Sequence, residues 1–133
     1  MVPCLCHCTI NGKYLKDFMP KEWYPEMMKT VRERGGKVIA ARGGKSSAAS
    51  AAEAALNHIK DWHLGTTDIV SVSIPAPKDN IYGVPEGIVF SFPCKSYMGE
   101  WYIQKLEVCE ELKPELTMTI KDLVDERHEA LGI

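Results

Sequence analysis

No stretch of this 133-residue chain is apolar for long enough to span a bilayer, which takes ~20 consecutive apolar residues. An excess of either charge is also missing: 16 Lys and Arg stand against 18 Asp and Glu, for a net charge of −2. That balance leaves no electrostatic footprint for nucleic acid or an anionic membrane, and neither is expected as a partner. Residues 1–8 hold no basic n-region and no full apolar h-region, so they do not read as a signal peptide and the cytoplasm is the default compartment. Internal repeats, low-complexity tracts and linkers are absent as well. So is any G-x-G-x-x-G, the turn that holds a dinucleotide pyrophosphate at a helix N-terminus.

What remains is the composition of an ordinary globular domain, 45% hydrophobic and 26% charged. The length suits one domain over 1–133 with a sizeable core. Five cysteines make an odd count. Cys4, Cys6 and Cys8 crowd together, while Cys94 and Cys109 are isolated. Cys-x-Cys-x-Cys with His7 inside offers thiolates and an imidazole to a soft metal. The spacing differs from Cys-x2-Cys knuckles and no second ligand cluster follows. Reduced thiols on a short, partly extended segment, with no metal, are therefore expected.

Hydrophobic periodicity outlines the elements. Asn11-Gly12 marks a turn between Cys8-Thr9-Ile10 and Tyr14-Leu15. After Pro20, Trp23, Met27 and Val31 recur four apart on one helical face. Gly35-Gly36 weakens that helix, but Val38 to Ala41 offer apolar surface beyond it. Ser46-Ser47 can cap a second helix over 47–64, and Ser50 with Glu53 also fits a capping box. This helix is alanine-rich, with Leu56, Ile59 and Trp62 widening its apolar stripe and Gly65 stopping it. Val70, Val72 and Ile74 then alternate with serines as a half-buried strand. Residues 87–95 and 101–107 read as two more strands joined at Met98-Gly99-Glu100. Pro114 opens a last helix with Leu116, Ile120, Leu123, Val124 and Leu131 on one face. The order predicts an α+β domain, an antiparallel sheet with long helices packed on it.

The segment Tyr82-Gly83-Val84-Pro85-Glu86-Gly87-Ile88-Val89-Phe90-Ser91-Phe92-Pro93 resembles the Y-G-[IV]-P-[ED]-G-L-[IV]-[YF]-S-F-P run of cytosolic-type malate dehydrogenases. Arg32 to Ala41 resembles the family's R-G-x-x-[IV]-I-x-A-R helix end. Ser46-Ser47-Ala48-Ala49-Ser50-Ala51-Ala52 resembles its S-S-A-x-S-A-A helix start. Asn57-His58-Ile59-Lys60-Asp61-Trp62 with Gly65-Thr66 is similar to D-H-[IV]-[RK]-D-W-x-x-G-T. Val70-Ser71-Val72-Ser73, the Leu116-to-Glu126 helix and His7-Cys8-Thr9-Ile10-Asn11-Gly12-Lys13 follow family segments too. Several motifs in the right order, from His7 to the end, are far more specific than one short motif. Residues 1–6 form an atypical lead that fits no family strand.

The resemblance implies the C-terminal, substrate-side domain of the lactate/malate dehydrogenase family. It implies a parent oxidoreductase of the tricarboxylic acid cycle that interconverts malate and oxaloacetate by hydride transfer with NAD. The dinucleotide-binding domain is absent from this sequence, so no catalytic, cofactor-binding or metal residue is expected and the chain alone is predicted inactive. His7 corresponds to a loop histidine of the family, not to the catalytic one, and Arg42 to an arginine that ends a helix. In the family a serine at the start of the alanine-rich helix approaches the substrate. That role passes to Ser47, with Ser46 as second candidate; the plainer reading is an N-cap, worth about 1 kcal/mol. His58 and His63 flank Trp62, and a histidine beside Asp61 could act as a base. With no nucleophile at a fitting spacing, they read as polar-face or core-edge residues. The alternative to the dehydrogenase part is a non-catalytic interaction or dimerisation module. In either case exposed helical faces predict a homo-oligomer.

Overall fold

The computed structural model describes residues 2–20 and 22–132, so Met1 of the 1–6 lead lies outside the described residues. The elements in chain order are β1 (Thr9–Ile10), β2 (Lys13–Tyr14), α1 (Trp23–Ala41), α2 (Ala49–Leu64), β3 (Val70–Pro75), β4 (Val89–Tyr97), β5 (Glu100–Ile103) and α3 (Lys113–Leu131). Short 3-10 turns occupy Leu15–Asp17 and Glu110–Leu112. The single domain expected from length divides into two compact units, Met1–Ser46 with Val108–Ile133, and Ser47–Glu107. No described helix is long and apolar enough to cross a membrane.

In the first unit β1 and β2 pair antiparallel around Asn11-Gly12. Both turn residues take positive φ, 51° and 77°, as a two-residue hairpin twisted with its strands requires. Helix α1 passes unbroken through Gly35-Gly36 and stops where Gly43 and Gly44 turn left-handed. There the Gly44 N–H reaches the Ile39 carbonyl at 2.9 Å. The buried residue of α1 is Met28; the stripe of Trp23, Met27 and Val31 is only half-buried. A 3.6-residue turn puts Tyr24 and Met28 on an adjoining face, and both meet the core of Cys6 and Leu112. Arg32 pairs with Glu115, tying α1 to α3. On α3, Leu116, Ile120, Leu123 and Val124 are half-buried, but Leu131 is 64% exposed, past the end of the core.

The second unit is built on β4, the middle strand of an antiparallel sheet ordered β3-β4-β5. Val72 lies opposite Phe92, and Cys94 opposite Ile103. Phe92, Cys94 and Ser96 fall two apart and are all buried, so β4 turns one face inward along this stretch. Strand β5 ends at Ile103, short of the expected 101–107. Beyond it the Gln104 N–H still donates to Pro93. The Tyr82 hydroxyl then donates to the Gln104 carbonyl and accepts from the Leu106 N–H, at 2.7 and 2.9 Å. The connection from β3 to β4 closes around Asn80. Its amide donates to the Pro77 and Val84 carbonyls and accepts the N–H groups of Tyr82 and Val84.

Helix α2 has no fully buried residue. It is pinned at its C-terminal end: Trp62 donates to the Gly99 carbonyl, His58 stacks on Trp101, and the Ser96 hydroxyl donates to the Trp62 carbonyl at 2.8 Å. Gly65 ends the helix at φ 87° and ψ 162°, a region essentially reserved for glycine. A Cβ there would also lie 3.0 Å from the Ser96 carbonyl oxygen. Gly65→Ala should therefore lower stability by about 1–3 kcal/mol. Gly83→Ala, at φ 70° with nothing within 4 Å of the added carbon, should cost less. Urea unfolding of the two variants checks the ranking, and equal losses would refute the close-contact account.

Candidate functional site

The expected serine cap is not what starts α2. Ala48 is the N-cap residue, and no side chain hydrogen-bonds to the cap. Instead the Ser47 and Ser50 hydroxyls bond to each other, so neither takes the reciprocal role expected of a capping box. The first intrahelical bond here runs from the Ala52 N–H to the Ala48 carbonyl at 3.0 Å. The amides ahead of it carry the partial positive charge of the helix end without a side-chain acceptor. Ser47 is half-buried within the second unit, and Ser46, at the boundary of the first, is exposed. This helix start can receive a carboxylate oxygen, because the dipole favours negative charge at its first N–H groups.

The histidines of α2 have other surroundings. His58 lies parallel to the Trp101 indole at a centroid distance of 5.4 Å. This agrees with a structural rather than a basic role. His63 lines a shallow recess with Ile59, Trp62 and Gly99. Asp61 contributes its backbone carbonyl to the Gly65 N–H at 3.0 Å, which fits the architectural reading.

The cysteines depart furthest from expectation. Cys109 is not isolated: it forms a disulfide with Cys6, with Cα atoms 6.4 Å apart across 103 residues of sequence. Cys4, Cys6 and Cys109 bring their sulfurs within 4.8 Å of one another. Sequence spacing could not reveal this, because the third sulfur arrives from the start of α3's lead-in turn. Cys4 and Cys8 are free and exposed, and Cys94 is free and buried. Burial pushes the Cys94 thiol above its ordinary pKa, since the thiolate would lose its hydration.

Comparisons with known proteins agree with this architecture. The family model for the lactate/malate dehydrogenase α/β C-terminal domain matches residues 1–131. A malate dehydrogenase of Corynebacterium jeikeium (strain K411) is 43% identical over 127 residues, covering 94% of this chain and 38% of the relative. Trichomonas vaginalis lactate dehydrogenase, solved in complex with NADH and oxamate, superposes with a TM-score of 0.88 at 33% identity. That match covers 98% of this chain and 42% of the other. Malate dehydrogenase from Naegleria fowleri gives a TM-score of 0.81 at 35% identity, covering 94% and 39%. The chain thus spans about two-fifths of the length of the relatives it matches.

The thiol environments give a direct test. In the chain with its disulfide intact, a maleimide should label Cys4 and Cys8 quickly and Cys94 slowly, the lag vanishing in denaturant. Equal rates at all three would contradict the burial of Cys94.

Proposed function

This chain belongs to the lactate/malate dehydrogenase family, whose C-terminal α/β domain it matches over nearly its whole length, and on that basis we propose that it is the substrate-side part of an NAD-dependent malate dehydrogenase. The likeness to a named malate dehydrogenase at 43% identity favours a dicarboxylic substrate of the malate and oxaloacetate kind. The observation that carries the reading is the start of α2. The resemblance assigns the family's substrate-facing serine to Ser47, and the lack of a side-chain cap at that helix start supports the assignment.

The division of labour follows from the residues. In such an enzyme NAD accepts or supplies the hydride. The residues of this chain do not fit NAD: no G-x-G-x-x-G is present, and the turn before α2 follows helix α1, not a strand. Nor does His58 stand as a proton shuttle, stacked as it is on Trp101. What this chain supplies is positioning. The Ser47 hydroxyl can donate to a substrate carboxylate while the α2 amides share its charge. At the far end of α2 the Ser96 hydroxyl of the sheet holds the Trp62 carbonyl. Ser46, exposed and one residue earlier, is the second candidate for that contact.

The exposed side of α2 supports an oligomer. Leu56 is 68% exposed, Ile59 57%, Trp62 48% and Leu64 70%, a run of apolar surface on one helix. Contiguous apolar patches beyond a few hundred Å² are unusual on monomers and tend to find a partner. An interaction or dimerisation module without catalysis is the second reading, and the same surface favours it.

Three experiments test these readings. The isolated chain should not oxidise NADH with oxaloacetate; turnover clearly above buffer would overturn the positioning role. In a full-length enzyme carrying this domain, Ser47→Ala should lower kcat/KM for oxaloacetate by roughly tenfold, one lost hydrogen bond to a charged group, with NADH binding unchanged. An unaltered kcat/KM would reduce Ser47 to a structural residue. The chain alone should self-associate at micromolar concentration in sedimentation, and Leu56→Glu with Ile59→Glu should return it to monomer. A monodisperse wild-type monomer would count against the oligomer and against a dimerisation module.

A further inference from the structure

Three cysteines that the dehydrogenase reading does not use lie together in the first unit, and we propose that Cys4, Cys6 and Cys109 form a redox-gated zinc site. Their sulfurs all lie within 4.8 Å of one another. Three thiolates at ~2.3 Å from a tetrahedral Zn²⁺ stand roughly 3.8 Å apart, so the Cys6 and Cys109 sulfurs become ligands only once their bond is reduced and they separate. Cys6 is buried, Cys109 half-buried and Cys4 exposed, which gives a metal two sheltered ligands and one at the solvent edge. A water molecule would supply the fourth ligand.

The surroundings are those of an outer ligand shell. The Tyr24 hydroxyl donates to the Cys6 sulfur at 4.0 Å, and a donor to a ligating sulfur orients it and spreads its charge. Val2, Tyr24, Val108 and Leu112 pack around Cys6 and Cys109, so α1, the N-terminal segment and the lead-in to α3 all meet at the sulfurs. Cys8 is not one of the group: its sulfur points to the Cys4 carbonyl at 3.9 Å. The first Cys-x-Cys thus supplies two of the ligands, and tertiary structure brings the third, Cys109, in place of Cys8.

In the structure Cys6 and Cys109 are joined, and a disulfide has no thiolate to give a metal. The gate is thiol–disulfide exchange with an external dithiol. That dithiol is oxidised to its own disulfide as the Cys6–Cys109 bond breaks, passing two electrons and two protons to the two sulfurs. Zn²⁺ then displaces the three thiol protons from Cys4, Cys6 and Cys109 into solvent. Oxidation by a disulfide of that same class reverses the sequence and releases the ion.

The test uses the whole chain, reduced with a dithiol, desalted, and titrated with Co²⁺ as a spectroscopic probe. An equimolar complex should form with a thiolate-to-cobalt charge-transfer band, and Zn²⁺ should displace it. The oxidised chain should show no band. Cys4→Ser, an exposed change that leaves the core intact, should weaken Co²⁺ binding by more than the roughly 10–100-fold typical of outer-shell changes. Cys8→Ser and Cys94→Ser should leave it unaltered. No band in the reduced wild-type chain would overturn the proposal. So would equal weakening by Cys8→Ser and Cys4→Ser, the mark of a local N-terminal chelate. Full binding by Cys109→Ser would overturn it too.

Discussion

The second unit depends on one buried polar residue. Ser96 is 3% exposed, and each of its polar groups is spoken for. Its hydroxyl donates to the Trp62 carbonyl at the end of α2, its N–H donates to the Thr66 hydroxyl, and its carbonyl accepts the Thr66 N–H. A buried hydroxyl or amide left unpaired costs about 1–3 kcal/mol, so helix end and strand must stay in register with each other. The approach is close enough that residue 65 has to be glycine. Through this junction the sheet fixes where α2 ends, and therefore where its N-terminus and Ser47 stand within the unit.

The same junction explains why so apolar a helix stays in place while burying no residue. Anchored by Ser96, by the Trp62 bond to Gly99 and by the His58–Trp101 stack, α2 needs little core contact along its length. Its aliphatic side chains then face outward, where alanine permits another backbone to come near. An anchored C-terminal end, an uncapped N-terminal end and an apolar flank leave the helix start and one side of α2 without a side-chain cap or core contact.

The first unit is organised differently. Its core is small, Cys6, Met28 and Leu112, with half-buried neighbours. A core that size stabilises little by burial alone, and a covalent link across 103 residues narrows the unfolded ensemble. Burial is also the first cause that raises the pKa of the Tyr24 hydroxyl, followed by the nearby Cys4 and Cys8 thiols. The same hydroxyl donates to the Cys6 sulfur, which the disulfide joins to Cys109.

Much of the fold could be read from the chain because its signals are local. The Asn11-Gly12 hairpin, the alternation of Val70 to Ile74, the stop at Gly65 and the start near Pro114 depend on residues a few positions apart, and each element stands where expected. The family likewise follows from ordered motifs, and the comparisons bear it out. Long-range partners were not legible. The sequence did not show that Met28 would displace Met27 in the core, nor that Tyr82 would draw residues 104–106 out of β5. It did not show that Ser47 would bond to Ser50 instead of capping, or that Cys109 would meet Cys6. Periodicity and turn chemistry are written in neighbouring side chains, so the sequence by itself determined the elements and the family. Which groups converge depends on chain closure between distant segments. Tertiary structure therefore decided the thiol cluster, the open face of α2 and the uncapped helix end.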